Sequence, residues 1–152
     1  MDTVFRLAEK SDIEFISETY NQNIEKLHGV YRSSYDWARL MDDGTSVYFV
    51  AVRDKAAGWF RIEIENGILW LGMLQVSPDY QRLGVGKSVV EFVLELAKNK
   101  NVKTVGIHTT EDNFAARKLY SSCGFEVSEV GACTTADGVQ RVGYTFLKTV
   151  CI

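Results

Sequence analysis

The sequence predicts an α+β fold in which a mixed, mostly antiparallel sheet of about seven strands is flanked by about four helices. Segments rich in β-branched and aromatic residues follow one another at hairpin spacing in the first half of the chain. A long amphipathic helical pattern then separates two further strand-like segments, and a hairpin pattern closes the chain. The length of 152 residues is typical of one domain, so a single domain over 1–152 is expected.

The N-terminal third predicts one strand and two helices. Val4 to Leu7 has the composition of a strand. Ser11-Asp12 is a typical N-cap pair, and apolar residues recur after it at helical spacing as far as Ile24. Asp36 is placed to cap a short second helix from Trp37 to Met41.

Three strands are then expected to form an antiparallel meander. They run over 47–52, 57–65 and 68–76, and the turns between them are Asp54-Lys55 and Asn66-Gly67. Asn-Gly is the strongest short hairpin signal, because both residues adopt positive φ readily. Pro78, the only proline, ends the third of these strands.

The second half alternates helices and strands. A helix over 84–98 places its apolar residues on one face and joins the strand over 68–76 to one over 102–108. This unit predicts a parallel, right-handed crossover. The remaining elements are a helix over 113–122 and a hairpin of strands over 125–134 and 139–150, which turns at Asp137-Gly138.

Composition narrows the class of protein. Hydrophobic residues make up 46% and charged residues 24%, as in ordinary globular proteins. The net charge of −3 argues against a protein whose main task is to grip nucleic acid, since that needs a clustered basic surface. The start of the chain lacks the pattern of a signal peptide, and no apolar stretch approaches the roughly 18 residues of a membrane helix. We therefore expect no nucleic-acid or membrane partner and a cytoplasmic location.

Cysteines and histidines predict neither a metal site nor a disulfide framework. Cys123, Cys133 and Cys151 are odd in number and form no CxxC pair. The only histidines are His28 and His108. Because no cluster has metal-ligand spacing, we expect that no metal is needed.

The most informative segment leads from the strand over 68–76 into the helix over 84–98. Gly84 and Gly86 stand at the helix start, where unpaired N–H groups and the helix dipole favour an anion. Glycine lets a phosphate approach the main chain without meeting a Cβ. The alternative is that the glycines only serve a tight turn. Walker A and GxGxxG motifs do not fit, because they need glycine where Gln81 and Val89 stand, respectively.

Two motifs resemble those of a known family. Gln81-Arg82-Leu83-Gly84-Val85-Gly86 resembles the Q/R-x-x-G-x-G/A signature of the GNAT superfamily of acetyl-CoA-dependent N-acetyltransferases. The segment Asn113 to Phe125 is similar to the family's N-x-x-A-x-x-L-Y-x-x-x-G-F motif and matches every named position. The strand ending Leu74-x-Val76-x-Pro78 is also typical. The resemblance covers residues 68 to 127 in detail, and the order of elements agrees with a GNAT-like fold.

The resemblance implies an acetyl-CoA site between the fourth and fifth strands, which separate at one end in this family. Leu74, Gln75 and Val76 are expected to bond the pantetheine arm through their main chain. Asn113 would contact the arm through its side chain, and Tyr120 would place its hydroxyl near the thioester sulfur. Gln81, the first residue of the signature, is also expected to contact the cofactor. The expected pyrophosphate cradle is formed by Arg82, Leu83, Gly84, Val85, Gly86 and Lys87.

The implied chemistry is direct attack of a neutral amine on the thioester carbonyl. A strand N–H near Val76 would meet the oxyanion, and Tyr120 would protonate the departing thiolate. No cysteine nucleophile is required, and Cys123 is expected to pack. The structural alternatives are that Asn113 only caps its helix and that Tyr120 only covers a helix face.

The general base and the acceptor remain open. Trp70 stands where some family members carry a glutamate in the fourth strand. Candidates for the base are Glu63, Glu65, His28, Asp36, His108 and a water chain. Aromatic residues that could line an acceptor pocket, although such residues are more often core, are Tyr31, Tyr35, Trp37, Trp59 and Trp70.

The expected function is transfer of acetyl from acetyl-CoA to a primary amine on a small molecule or on a peptide or protein, and a homodimer is left open. One alternative is a non-catalytic module that binds an acyl-CoA as a sensor. Another is a structural interaction domain that has lost the cofactor.

Overall fold

The structure, a computed structural model, describes residues 2–24, 28–29, 36–37 and 46–151. The strands are β1 (Thr3–Leu7), β2 (Ser46–Val52), β3 (Lys55–Glu65), β4 (Ile68–Val76), β5 (Thr104–Thr110), β6 (Glu126–Thr134) and β7 (Gln140–Thr149). The α-helices are α1 (Ile13–Gln22), α2 (Val85–Asn99) and α3 (Phe114–Ser122), and short 3-10 turns lie at Lys10–Asp12 and Pro78–Tyr80.

The seven strands form one sheet in the order β1-β2-β3-β4-β5-β7-β6. Each neighbouring pair is antiparallel except β4 and β5, which are parallel and are joined by α2. The predicted α+β fold with a mixed, mostly antiparallel sheet is thus confirmed.

The number of helices needs a correction. The described part of the chain holds three α-helices, not the expected four. Of the expected second helix, only Asp36 and Trp37 are described, and both are helical. Two residues do not complete a turn of 3.6 residues. Positions 38–41 lie outside the described residues, as do Tyr31 and Tyr35.

One strand begins later than the sequence predicts. The strand expected over 102–108 is β5, Thr104–Thr110. Val102 lies instead in the turn that follows α2, where its N–H donates to the Ala97 carbonyl at 2.9 Å. A β-branched residue just after a helix is easily taken for the start of a strand, because such residues favour strands.

Two hydrophobic clusters lie on opposite faces of the sheet. Trp59 and Phe60 are consecutive in β3 and both fully buried, and successive strand residues point to opposite faces. Phe60 belongs to the cluster formed with α2, and Trp59 to a smaller one formed with α1. We call the first the α2 face and the second the α1 face. No helix among the described residues is long and apolar enough to cross a membrane.

Candidate active site

Strands β4 and β5 are paired over only part of their length. Their parallel register runs from Ile68 opposite Thr104 to Leu71 opposite Ile107. Beyond it β4 continues to Val76, whereas β5 remains paired to β7 on its other side. The edge of β4 that faces β5 therefore has no strand partner over residues 72–76 among the described residues.

A β-bulge accompanies this separation. Gly72 pairs with Arg61 and Gln75 with Trp59, so an extra residue is accommodated in β4 between these pairs. Met73, inside the bulge, has a φ of 51°. A bulge bends its strand and increases the local twist. This turns the end of β4 away from β5.

The separation opens a cavity of about 480 Å³, which we call the cleft. One wall comes from β4 and includes Leu74 and Gln75. Asn113 and Tyr120 of the α3 segment line it as well. The hairpin of β6 and β7 supplies a further wall, formed by Glu129, Cys133, Tyr144 and Thr145 among others.

The main-chain groups of β4 alternate between β3 and the cleft side. The Ser77 N–H donates to the Ala57 carbonyl of β3 at 2.8 Å. A Cβ at Gly58 of β3 would collide with the Gln75 carbonyl oxygen, so that carbonyl also faces β3. In an antiparallel strand the intervening residues point the other way. The N–H and C=O of Val76 therefore point away from β3, toward the unpaired edge.

A buried amide network holds this end of β4. The Asn23 Nδ2 group donates to the Gln75 Oε1 atom and to the Val76 carbonyl, both at 3.1 Å. The Gln81 Nε2 group donates to the same carbonyl at 3.0 Å and to Asn23 Oδ1 at 3.2 Å. The side chain of Gln75 is 2% exposed. The side-chain amides of Gln75 and Gln81, two residues expected to contact the cofactor, thus form hydrogen bonds within the protein itself. No pattern in the sequence pointed to Asn23.

Tyr120 lies on the α2 face with its ring against Phe146, at a centroid distance of 5.8 Å. It is 7% exposed, yet it lines the cleft. Its hydroxyl has no hydrogen-bond partner among the described residues. Burial, followed by the neighbouring Cys123, raises the pKa of Tyr120 to about 12. The hydroxyl is therefore protonated at neutral pH and has a proton to donate.

Asn113 caps α3. Its Oδ1 atom accepts a hydrogen bond from the Ala116 N–H at 3.2 Å, which is the usual N-cap contact. Its Nδ2 group has no partner among the described residues, and the residue lines the cleft. The cap and a contact to a ligand in the cleft are thus compatible.

The start of α2 exposes main-chain N–H groups. Arg82 and Gly84 have φ values of 63° and 86°, and no side chain caps the helix. Arg82, Leu83, Gly84 and Lys87 are exposed, whereas the Val85 side chain is buried in the core. A Cβ at Gly86 would lie 3.0 Å from Leu119 of α3, so this glycine also lets the two helices approach each other.

A second cavity of about 510 Å³, the outer recess, borders the cleft. Glu63, Glu65, Trp70 and His108 line it. Leu71, Met73 and His108 line both cavities. Three of the candidate bases, Glu63, Glu65 and His108, therefore lie around one space.

The other candidates lie elsewhere. The His28 Nε2 atom is 2.7 Å from Asp112 Oδ2, and Asp36 is exposed. Hydrogen bonds from Thr110 and then from His28 hold the pKa of Asp112 below its usual range, against the effect of its burial. Trp37 and Trp59 are core residues that pack edge to face at 5.1 Å, so of the described aromatic candidates only Trp70 lines a cavity.

The described cysteines and acidic residues form neither a disulfide nor a metal-binding group. Cys123, Cys133 and Cys151 are free thiols. Within the described ranges, no group of three or more His, Cys, Asp or Glu side chains could hold a metal ion.

Comparison with known proteins identifies relatives. Residues 11–125 match the family described as acetyltransferase (GNAT) family. A [ribosomal protein bS18]-alanine N-acetyltransferase of Escherichia coli is 33% identical over 57 residues, and this match spans 38% of each chain. An uncharacterized N-acetyltransferase of Archaeoglobus fulgidus is 25% identical over 142 residues, which cover 83% of this chain and 95% of the relative.

Solved structures share the fold over the whole chain. The ribosomal-protein-S18-alanine N-acetyltransferase of Escherichia coli has a TM-score of 0.76 at 21% identity and covers 99% of this chain and 96% of its own. Ard1 of Thermoplasma volcanium has a TM-score of 0.84 at 18% identity with full coverage of both chains. The Salmonella typhimurium protein yncA, solved with its cofactor acetyl-CoA, has a TM-score of 0.79 at 16% identity, with 98% and 94% covered.

Proposed function

Because the chain belongs to the acetyltransferase (GNAT) family, we propose that it moves the acetyl group of acetyl-CoA directly to a primary amine. The observation that carries this proposal is the unpaired edge of β4 beside a cleft that Tyr120 lines. An extended ligand can add to such an edge as an extra strand, through main-chain hydrogen bonds. The pantetheine arm of acetyl-CoA carries amide groups that suit this form of binding.

The direction of the main-chain groups in β4 determines which of them can bind the pantetheine arm. The Val76 carbonyl already accepts two side-chain hydrogen bonds, and the Gln75 carbonyl faces β3. The Val76 N–H and the main chain of Leu74 are the groups left for the arm and for the thioester oxygen. Asn113 offers its Nδ2 group from the opposite wall.

The pyrophosphate of acetyl-CoA would lie at the start of α2. The N–H groups of the first helical turn have no acceptor within the helix, and the dipole favours negative charge there. Gly84 leaves open space where a side chain would stand. Arg82 and Lys87 are exposed beside it and add positive charge. These features support the expected cradle from Arg82 to Lys87.

The reaction forms an N–C bond and an S–H bond and breaks the C–S bond and one N–H bond, whose proton passes to a general base. The amine nitrogen attacks the carbonyl carbon, and the electron pair moves to the oxygen, where the Val76 N–H stabilises it. When the carbonyl re-forms, the C–S bond breaks. The Tyr120 hydroxyl donates its proton toward the sulfur, so that CoA leaves as a thiol.

The buried environment of Tyr120 keeps its hydroxyl in the protonated form that a proton donor requires. A hydroxyl whose pKa is about 12 remains protonated throughout the working pH range. Burial disfavours a thiolate as it disfavours a phenolate. Burial therefore raises the basicity of the leaving sulfur together with the pKa of Tyr120, so the two effects on the proton transfer offset each other.

The acceptor class is a primary amine of a small molecule or of a peptide or protein. The Escherichia coli relative is an alanine N-acetyltransferase, so the α-amino group of a peptide that begins with alanine is the first acceptor to test. No observation favours the acyl-CoA sensor considered from the sequence.

An acceptor screen with acetyl-CoA tests this function. Release of the CoA thiol is measured with a panel of amino acids, polyamines and peptides, including one that begins with alanine, and mass spectrometry identifies the acetylated product. We expect release that depends on the amine and yields its acetyl derivative. Binding of acetyl-CoA by calorimetry without amine-dependent release would support the sensor instead, and the absence of binding would contradict both.

A further inference from the structure

His108 lies where the cleft and the outer recess meet. It lines both cavities together with Leu71 and Met73. Of these three side chains only an imidazole can take up a proton near neutral pH. Glu63 and Glu65 line the recess but not the cleft.

The imidazole of His108 is held on two sides. It stacks on the indole of Trp70 with ring centroids 4.4 Å apart and an interplanar angle of 12°. A Cβ at Gly106, opposite Trp70 in the sheet, would lie 2.5 Å from that indole, so the glycine makes room for the stack. The His108 Nδ1 atom lies 3.1 Å from the Thr145 hydroxyl oxygen of β7.

His108 and Tyr120 lie on opposite faces of the sheet. Ile107 belongs to the core of the α2 face, as does Tyr120. His108 is the next residue of β5, and successive strand residues point to opposite faces. A carbonyl carbon held in the opening between β4 and β5 would have the imidazole on one side and the phenol on the other.

We propose that the acceptor amine enters through the outer recess and that His108 is the catalytic base that takes the proton leaving its nitrogen. This inference rests on the proposed function. The nitrogen forms the N–C bond from the recess side, and one N–H proton passes to Nε2 of His108. The C–S bond breaks on the other side, and the thiolate receives the Tyr120 proton. Solvent then removes the proton from His108 and restores that of Tyr120.

Thr145 is a positioning residue in this scheme. If Nδ1–H of His108 donates to the Thr145 hydroxyl, the lone pair of the imidazole resides on Nε2, which then faces the amine. Titratable groups of the neighbouring elements that line the same two cavities are Glu63, Glu65, Tyr120, Glu129, Cys133 and Tyr144.

The other histidine provides a matched control. His28 bonds Asp112 through Nε2 and lines neither cavity. Since the sequence has only these two histidines, an acid limb of the profile that arises from a histidine has only these two sources.

The test is the dependence of kcat on pH for wild type, His108→Gln and His28→Gln at saturating amine, so that titration of the free amine does not enter. We expect the wild-type kcat to fall across the acid range, because a protonated imidazole cannot accept the proton of the amine. His108→Gln is expected to lower kcat at pH 8 at least tenfold and to remove the acid limb, with unchanged affinity for acetyl-CoA by calorimetry. His28→Gln is expected to keep the limb, and Thr145→Val to shift its midpoint.

A wild-type profile that is flat through this range, or a His108→Gln variant that keeps the kcat and the limb of the wild type, would overturn the assignment of His108. The proposed function would survive either result. A wild-type protein that turns over no amine would overturn the proposed function and this inference with it. His108 is exposed, so we expect the loss of its contacts with Trp70 and Thr145 to lower the melting temperature of His108→Gln only slightly, and this measurement separates lost chemistry from lost folding.

Discussion

The side-chain amide of Asn23, just past the end of α1, donates to both the Gln75 side chain and the Val76 carbonyl oxygen, in each case at 3.1 Å. These bonds reach the segment of β4 that has left β5. Asn23 is 8% exposed and Gln75 is 2% exposed, so neither amide can exchange its partner freely for water. The contact therefore replaces part of the support that β5 no longer gives to β4.

Asn23→Ala is expected to loosen this end of β4. Removal of the amide leaves the buried Gln75 oxygen without its donor, which costs about 1–3 kcal/mol of the free energy of unfolding. We also expect weaker binding of acetyl-CoA, because the unpaired edge loses its support. Urea unfolding and calorimetry measure the two effects. Asn99→Ala, at the exposed end of α2, is the control, and equal stability of the two variants would contradict the account.

Gly86 is proposed to make room both for the pyrophosphate of acetyl-CoA and for Leu119 of α3, and double variants distinguish these two roles. Gly86→Val is expected to weaken acetyl-CoA binding at least tenfold, about 1.4 kcal/mol, because a side chain would stand at the phosphate cradle. The same side chain would also press on Leu119, since a Cβ already lies 3.0 Å from it. Calorimetry on Gly86→Val with and without Leu119→Ala distinguishes the causes. An affinity restored by Leu119→Ala would show that the glycine serves packing alone.

The raised pKa of Tyr120 predicts a loss of stability in alkali. In the unfolded chain tyrosine ionises around its ordinary value of 10.0, whereas in the folded protein it ionises at about 12. Between these values the unfolded chain binds fewer protons than the folded protein, so the free energy of unfolding falls as pH rises. The full effect is on the order of 3 kcal/mol.

Chemical unfolding between pH 9 and about 12 tests this linkage. The decline attributable to Tyr120 is expected to be absent from Tyr120→Phe and present in Tyr48→Phe, which removes a hydroxyl elsewhere in the α2-face core. A Tyr120→Phe variant that follows the wild-type curve would contradict it.

Much of the fold could be predicted from the sequence, because the signals are local. The turn at Asn66-Gly67 and the amphipathic helix α2 are each determined by residues that are close together in the sequence. The bulge in β4 could not be predicted, because Met73 adopts a φ of 51° without being glycine, asparagine or aspartate. Its conformation depends on the strands around it.

The candidate site was predicted less completely, for the same reason. The motif from Asn113 to Phe125 pointed to Tyr120 and Asn113, and both line one cleft. The main chain of Gln75 remains a predicted cofactor contact, whereas the pairing of its side chain with Asn23, which is 52 residues away, could not be predicted. His108 could not be chosen among five candidate residues, because its place beside Trp70 depends on the register between β4 and β5.

CoA is proposed to leave beside Tyr120 in the cleft, and the Tyr120→Phe variant removes the one proton on which this step depends. This change keeps the ring that packs on Phe146 but removes the proton offered to the sulfur. The measurement is kcat under conditions where the chemical step is limiting, together with acetyl-CoA affinity and melting temperature at neutral pH. We expect a kcat at least tenfold lower, since such proton donors contribute a factor on the order of 10²–10⁴ to the rate, with little change in the affinity or the melting temperature. A kcat equal to that of the wild type across the pH range would contradict the role of Tyr120.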